Sequence, residues 1–440
     1  MVRWLTPHVV IVLLGVLLLA MSNNINWGGP HWRSVLQVDA RGYHAYLPAL
    51  LLRQDPNLNF FDELEKGKYG GTGQVYDYRI RVDDRTVNKY FIGTALCESP
   101  FFLAAHAWTL LTNGDADGFA KPYVVAVNIA AIFFVLLGLW AIDDLLLCEG
   151  IDAGWRSTVV VAMLLGTPLV YYSVVAPGMS HAYSFGLCSL FVRNILRWSD
   201  GPLRWRLLVL GALLGLIVLV RPVNALILIT VPLFLGSWAR VRTFLDRTVR
   251  QGPWTLMAMV LFAGVVGIQA LYYHAATGKW WVDTYPGEGF VWSDPHILDM
   301  LFSYRKGLFV YSPVLLLATA GLVPMARRSV LRTGAWITVF LGITYVLSSW
   351  WNWWYGGSFG QRAWSEYLVL FALPLAYALQ HSTGHWRKLL LTSIGLLLVL
   401  CQFQIYQARY YMIHWEDMNR TRYWEVFLKV PHDALDEAGR

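Results

Sequence analysis

What most constrains this chain is the recurrence of apolar runs long enough to cross a bilayer, with the charges pushed into the gaps between them. A bilayer core needs roughly 20 apolar residues per helix, and such runs begin near residues 4, 121, 157, 180, 205, 222, 254, 308, 334, 363 and 388. Of the 440 residues, 56% are hydrophobic and only 14% are charged, where an average soluble domain carries about 25% charged residues. Too few polar side chains are present to clothe a soluble fold of this length, so the excess apolar surface must face lipid. The chain therefore reads as an all-α polytopic membrane protein, a single integral domain over residues 1–440 with about eleven transmembrane helices.

The loops set the direction of these spans. Arg197, Arg204 and Arg206 share one short loop. Arg240, Arg242, Arg247 and Arg250 share another, Arg327, Arg328 and Arg332 a third, and Arg387 and Lys388 a fourth. By the positive-inside rule these loops are cytoplasmic, and Arg3 puts the N-terminus on the same side. Residues 91–112, which carry Glu98, Pro100 and His106, would set Arg3 opposite the basic loops if they crossed. They are therefore expected to lie in or dip into the outer leaflet. The result is a long first extracytoplasmic loop over residues 22–120 with surface helices, and an extracytoplasmic C-terminal tail over residues 407–440. Within the loop, residues 40–52 read as an amphipathic helix resting on the membrane, Gly70-Gly71-Thr72-Gly73 as a flexible break, and residues 77–85 as a charged stretch. The first apolar run lacks a small-residue cleavage site and reads as an uncleaved span.

The net charge of +7 is spread as topology signals, with no interleaved basic and aromatic surface of the kind that binds nucleic acid. Cys97, Cys148, Cys188 and Cys401 form no CxxC pair and have no His at metal spacing. Neither a disulfide framework nor a metal site is expected.

Chemistry should sit on the outer face, because the inner loops are short and merely basic. Asp39 follows the first span and opens a helical segment that carries Tyr43 one turn on. A carboxylate there suits a general base for an acceptor hydroxyl, although Asp before a helix is also a preferred cap. Lys89 sits where the chain re-enters the interface and suits an anionic headgroup, although interfacial snorkelling would place it there too. His181 opens a helix after the tight turn at Pro177-Gly178 and suits acid, base or ligand duty. Arg221, next to Pro222, breaks the positive-inside pattern, and a charge held at membrane depth is a site hypothesis by default. Arg362 follows the aromatic run Trp350-Trp351-Asn352-Trp353-Trp354, which suits an aromatic belt, and Glu366 one turn on is its expected ion-pair partner. Arg305 and Lys306 are a further outward basic pair. Lys89, Arg221, Arg305 and Arg362 together suit the phosphate of a lipid carrier, with Tyr43 and His181 beside them.

At these residues the chain resembles the GT-C superfamily of membrane glycosyltransferases, in particular its protein O-mannosyltransferase-like and aminoarabinose-transferase-like members. Asp39 matches the acidic residue such enzymes keep in their first ectoloop, which implies a catalytic role. Lys89-Tyr90-Phe91-Ile92-Gly93-Thr94 is similar to their segment that forms a surface helix and contacts the carrier phosphate, with Phe91 where the family has Pro. Ser180-His181-Ala182-Tyr183 stands where relatives place an Asp followed by an aromatic-rich helix. Arg221-Pro222 and Gly360-Gln361-Arg362 resemble bacterial members. No second acidic residue adjoins Asp39, so a divalent metal finds no support and no cofactor is expected.

The resemblance implies a GT-C fold and an inverting glycosyltransferase, a hexosyl- or pentosyltransferase. It would take a polyprenyl-phosphate sugar as donor and a lipid, glycan or protein as acceptor. It also implies a bacterial inner membrane location, with the N-terminus cytoplasmic and the active face periplasmic. The rival is a membrane transporter or flippase for a lipid-linked or anionic substrate, which would be expected to show inverted repeats and helices broken at mid-membrane. Neither pattern is visible. A scaffold without a polar outer cavity is the other rival.

Overall fold

The computed structural model describes residues 6–70, 75–201 and 203–430. Arg3 and the Gly71-Thr72-Gly73 part of the expected break lie outside the described residues. The helices are α1 (Pro7–Ser22), α2 (Asp39–Leu47), α3 (Gly93–Leu111), α4 (Lys121–Cys148), α5 (Ala153–Leu165), α6 (Ser180–Asp200), α7 (Trp205–Val220), α8 (Val231–Leu235) and α9 (Trp238–Arg250). They continue as α10 (Gly252–Thr277), α11 (Ile297–Phe302), α12 (Leu308–Tyr311), α13 (Val314–Ala318), α14 (Leu322–Arg328), α15 (Val330–Ser348), α16 (Val369–His381), α17 (Gly384–Arg409) and α18 (Arg420–Val426).

Among the described residues, five helical runs are long and apolar enough to cross a membrane: Pro7–Trp27, Lys121–Cys148, Gly252–Thr277, Val330–Ser348 and Gly384–Arg409. The expected start near residue 4 lies outside the described residues; the others fall on or beside a helix, but several expected spans are jointed. Residues 222–235 wind as a 3₁₀ stretch before α8, and the run from residue 308 is cut into α12, α13 and α14 around Pro313. Pro and Gly in these runs withdraw backbone donors or loosen the ladder, and neighbouring helices satisfy what is freed. The apolar faces of α1 and α10 remain bare, with Val12, Val16, Leu256, Met259 and Val260 exposed. Apolar surface of this extent has no stable place in water, so the protein is an α-helical membrane protein.

The helices pack through small residues. α6 lies against α4 where Gly186 meets the backbone of Phe134, and a Cβ on Gly186 would sit 2.4 Å from the Phe134 carbonyl oxygen. Without a hydrophobic driving force between helices in lipid, such close approach is a main source of association.

The first ectoloop differs from expectation in two ways. Its charged stretch forms an antiparallel hairpin, β1 (Arg79–Val82) with β2 (Arg85–Asn88), Arg79 opposite Asn88. And α2 does not rest on a membrane surface: Ala40, Tyr43, His44, Ala45, Tyr46 and Leu47 are all buried in protein. His44 pins it, with Nδ1 3.3 Å from Glu98 of α3 and Nε2 2.8 Å from the Gly118 carbonyl. Tyr183 of α6 donates to the other Glu98 oxygen at 3.0 Å. A buried carboxylate needs such partners, and satisfying it ties α2, α3 and α6 together.

Candidate active site at the outer cavity

One cavity of about 560 Å³ gathers Asp39, Tyr43, Lys89, His181, Arg221 and Arg362 on its wall. These six residues come from five places in the chain: the first half of α2, the exit of the hairpin, the start of α6, the end of α7 and the end of the glycine-rich loop after α15. Gly93 makes one junction possible. A Cβ there would lie 2.3 Å from the backbone of Leu219 and Val220, so only Gly lets the start of α3 abut the end of α7, where Arg221 leaves the helix.

Asp39 is not a cap. Val38 occupies the cap position, with φ of 48° and no side-chain bond to the helix end. A β-branched residue in that region is strained, and it stands immediately before the candidate base. The Asp39 carboxylate accepts from Tyr90 Oη at 2.6 Å and from Arg362 Nη1 at 3.0 Å. Burial disfavours its charge, but the Arg362 cation and the Tyr90 hydroxyl outweigh this and hold the carboxyl below its usual range. Beside it, burial and the Asp39 charge push the Tyr43 phenol up to about 12, which keeps Tyr43 a neutral donor.

Glu366 does not pair with Arg362, as their spacing suggested. It accepts from Arg221 Nη1 at 2.6 Å, and His181 Nδ1 lies 3.1 Å from the same oxygen. The reason is local: residues 362–367 form a 3₁₀ stretch, in which side chains four apart no longer share a face. Arg362 is thereby free to reach back to Asp39.

Lys89 Nζ donates to Glu288 Oε1 at 2.7 Å and lies 4.9 Å from the Tyr285 ring centre. Trp351 Nε1 donates to the other Glu288 oxygen at 3.2 Å. Trp350 and Trp351 line the cavity, so part of the aromatic run serves the site, while Trp353 is buried away from it.

Arg305 does not line this cavity. Its guanidinium lies 3.6 Å from the Trp354 ring centre and binds the Glu416 carbonyl and Asp417. Lys306 is buried behind the site and donates to the carbonyls of Ser358 and Trp415. Both cations clamp the C-terminal segment onto the 356–361 loop that delivers Arg362. Burial, with Arg362 and Arg305 near, pulls the Lys306 ammonium well below its usual range.

Tyr90, Glu288 and Glu366 are the site residues that sequence reasoning left out or misplaced. Glu366 carried a signal, being an acid at the head of an apolar run. Glu288, in Pro286-Gly287-Glu288-Gly289, signalled only a turn. Among the described residues no group of three His, Cys, Asp or Glu is placed to hold a metal ion, and the four cysteines are free.

Fold and site together define a helical membrane protein with an ion-paired cavity lined by the loops between its helices. No family model matches the chain, and no curated protein does. Among solved structures it is similar to the archaeal oligosaccharyltransferase AglB from Archaeoglobus fulgidus, determined in complex with an inhibitory peptide and a dolichol-phosphate. The identity is 10% and the TM-score 0.45, over 98% of this chain and 59% of that one. The chain thus spans 59% of the length of that structure.

Proposed function

We propose that this protein is an inverting glycosyltransferase of the GT-C type, moving a sugar from a polyprenyl-phosphate carrier to an acceptor hydroxyl at the extracytoplasmic face of a bacterial inner membrane. The observation that carries the reading is convergence. A carboxylate, two guanidiniums and an ammonium, all half-buried and scattered from residue 39 to residue 362, line one cavity. Charges taken out of water at this density are costly unless they serve a charged ligand or reaction.

In this reading Lys89, Arg221 and Arg362 hold the carrier phosphate and stabilise the charge it gains on departure. The acceptor oxygen attacks the anomeric carbon from the face opposite the phosphate. The bond from that carbon to the phosphate oxygen breaks with its electron pair on the phosphate, and the acceptor proton passes to Asp39. Arg362 and Tyr90 keep Asp39 ionised and aimed. Tyr43 and His181 line the same wall and orient the sugar. The acceptor is a lipid, a glycan or a protein.

The test is Asp39→Asn, assayed with a polyprenyl-phosphate sugar in reconstituted membranes. Loss of a general base lowers turnover by about 10²–10⁴-fold. Near-wild-type turnover from well-folded Asp39→Asn would sink the assignment.

A further inference from the structure

Every cation facing the cavity already has an anion. Arg362 is matched by Asp39, Arg221 by Glu366 and Lys89 by Glu288. A phosphate therefore either shares a guanidinium's remaining N–H donors with its carboxylate or takes a cation from a carboxylate outright. The three pairs differ in how readily they part. Asp39 is also held by Tyr90 and sits on α2, which is buried in protein. Glu366 has no exposed side-chain surface and shares its oxygen with His181. Glu288 is the loosest: its side chain and that of Lys89 are each 23% exposed, and among the described residues its one other side-chain bond is to the Trp351 indole.

Its backbone fits an exchange as well. Glu288 lies in the irregular stretch between α10 and α11, flanked by Gly287, with φ of 77°, and Gly289. A Cβ at either glycine would meet nothing within 4 Å, so the space beside Glu288 is open and its side chain can swing while the backbone stays tied, Glu288 N to the Tyr285 carbonyl and Trp351 N to the Gly289 carbonyl. Moving Glu288 into water costs little desolvation, whereas Glu366 has no exposed side-chain surface and Asp39 would give up its Tyr90 bond as well as Arg362.

We infer that Glu288 is a built-in stand-in for the ligand anion at Lys89, and that the donor binds by displacing it. This rests on the carrier-phosphate reading above and sharpens it. One carboxylate leaves and one negative charge takes its place, so the cavity suits a phosphodiester, a sugar joined to its lipid through a single phosphate. A diphosphate brings a second negative charge for which no further cation is released.

The test uses the full chain in neutral-lipid nanodiscs and three matched probes: a farnesyl phosphodiester of a hexose, the corresponding farnesyl diphosphate diester, and the uncharged farnesyl hexoside. Wild type binds the phosphodiester most tightly. Glu288→Gln tightens phosphodiester binding about tenfold and leaves the uncharged probe unchanged. In a Lys89→Met background the Glu288→Gln gain disappears, as a double-mutant cycle requires. Glu288→Ser serves as a second variant should Glu288→Gln fold poorly, with thermal unfolding measured for each. Unchanged phosphodiester affinity in Glu288→Gln, with weakening in Lys89→Met, overturns the exchange and spares the carrier-phosphate reading. Equal tightening of the uncharged probe overturns it as well, since Glu288 would then only obstruct. Tighter binding of the diphosphate by wild type overturns the single-charge assignment. If Lys89→Met leaves phosphodiester binding intact, the carrier site at Lys89 falls and the inference falls with it.

Discussion

At the scale of single residues the site is built from charges that hold one another in place, and its failures should be asymmetric. Arg221 faces Glu366, whose side chain has no exposed surface. Replacing Arg221 with Met leaves a carboxylate buried without its cation, and breaking a buried pair in this way costs about 3–5 kcal/mol. Glu366→Gln keeps a hydrogen-bond acceptor for Arg221 and His181 and should cost less. Denaturation of the two variants in the same detergent checks the order. Equal losses would show that Glu366 is not held as an anion. Asp39 illustrates how far a residue's role depends on its surroundings. An Asp at the start of a helix is ordinarily a cap, but here Val38 takes the cap position and Asp39, one residue further in, has its oxygens held by Tyr90 and Arg362.

At the scale of elements, α2 is the part on which the site depends, and it is fastened on two sides. His44 joins it to Glu98 on one side. On the other, Arg41 reaches the buried Glu65, whose second oxygen accepts from Tyr78. Burial, only partly offset by Tyr78 and Arg41, pushes the Glu65 carboxyl up to about 8. An unfolded Glu titrates near 4.3. The folded state thus keeps a proton that the unfolded state gives up, and stability from this group is present below about pH 4 and lost as pH rises toward 8. Wild type should therefore lose thermal stability between about pH 5 and pH 8, and Glu65→Gln should flatten that decline. Parallel pH profiles for the two would show that Glu65 does not carry it.

At the scale of the whole molecule, the proposed topology makes one sharp statement. α3 is 19 residues long but carries Glu98 and Pro100 inside it, and it is not among the runs apolar enough to span. If α3 stays on the outer side, a reporter fused near Asp115 reads extracytoplasmic, in line with eleven crossings. A cytoplasmic signal there would reverse the side assigned to the cavity that holds Asp39. The C-terminal segment also belongs to this scale. Ser358 donates its amide to the Trp415 carbonyl at 2.9 Å, and a Cβ on Gly357 would meet the Trp415 ring at 2.6 Å. Residues more than fifty positions apart thus set the loop that carries Arg362.

The sequence by itself determined the membrane class, the helical runs and the short roll of charges that break the topology rule. These are local quantities: apolar length against bilayer thickness, and cations on the wrong side of a span. It also singled out Asp39, Lys89, Arg221 and Arg362, the charged residues of the cavity wall other than Glu288, since a charge tolerated at membrane depth is conspicuous in any single segment. Pairing was decided only by the tertiary structure. Arg362 lies nearest in sequence to Glu366 yet bonds Asp39, Lys89 finds Glu288, and Arg305 turns away to hold the C-terminal segment. Burial of α2 was likewise invisible, because its polar His44 and Arg41 read as a wet face until Glu98 and Glu65 arrive from elsewhere in the chain. A partner in a low-dielectric site is chosen by position in space, where a separation of a few ångströms decides the energy, and sequence distance carries none of that information.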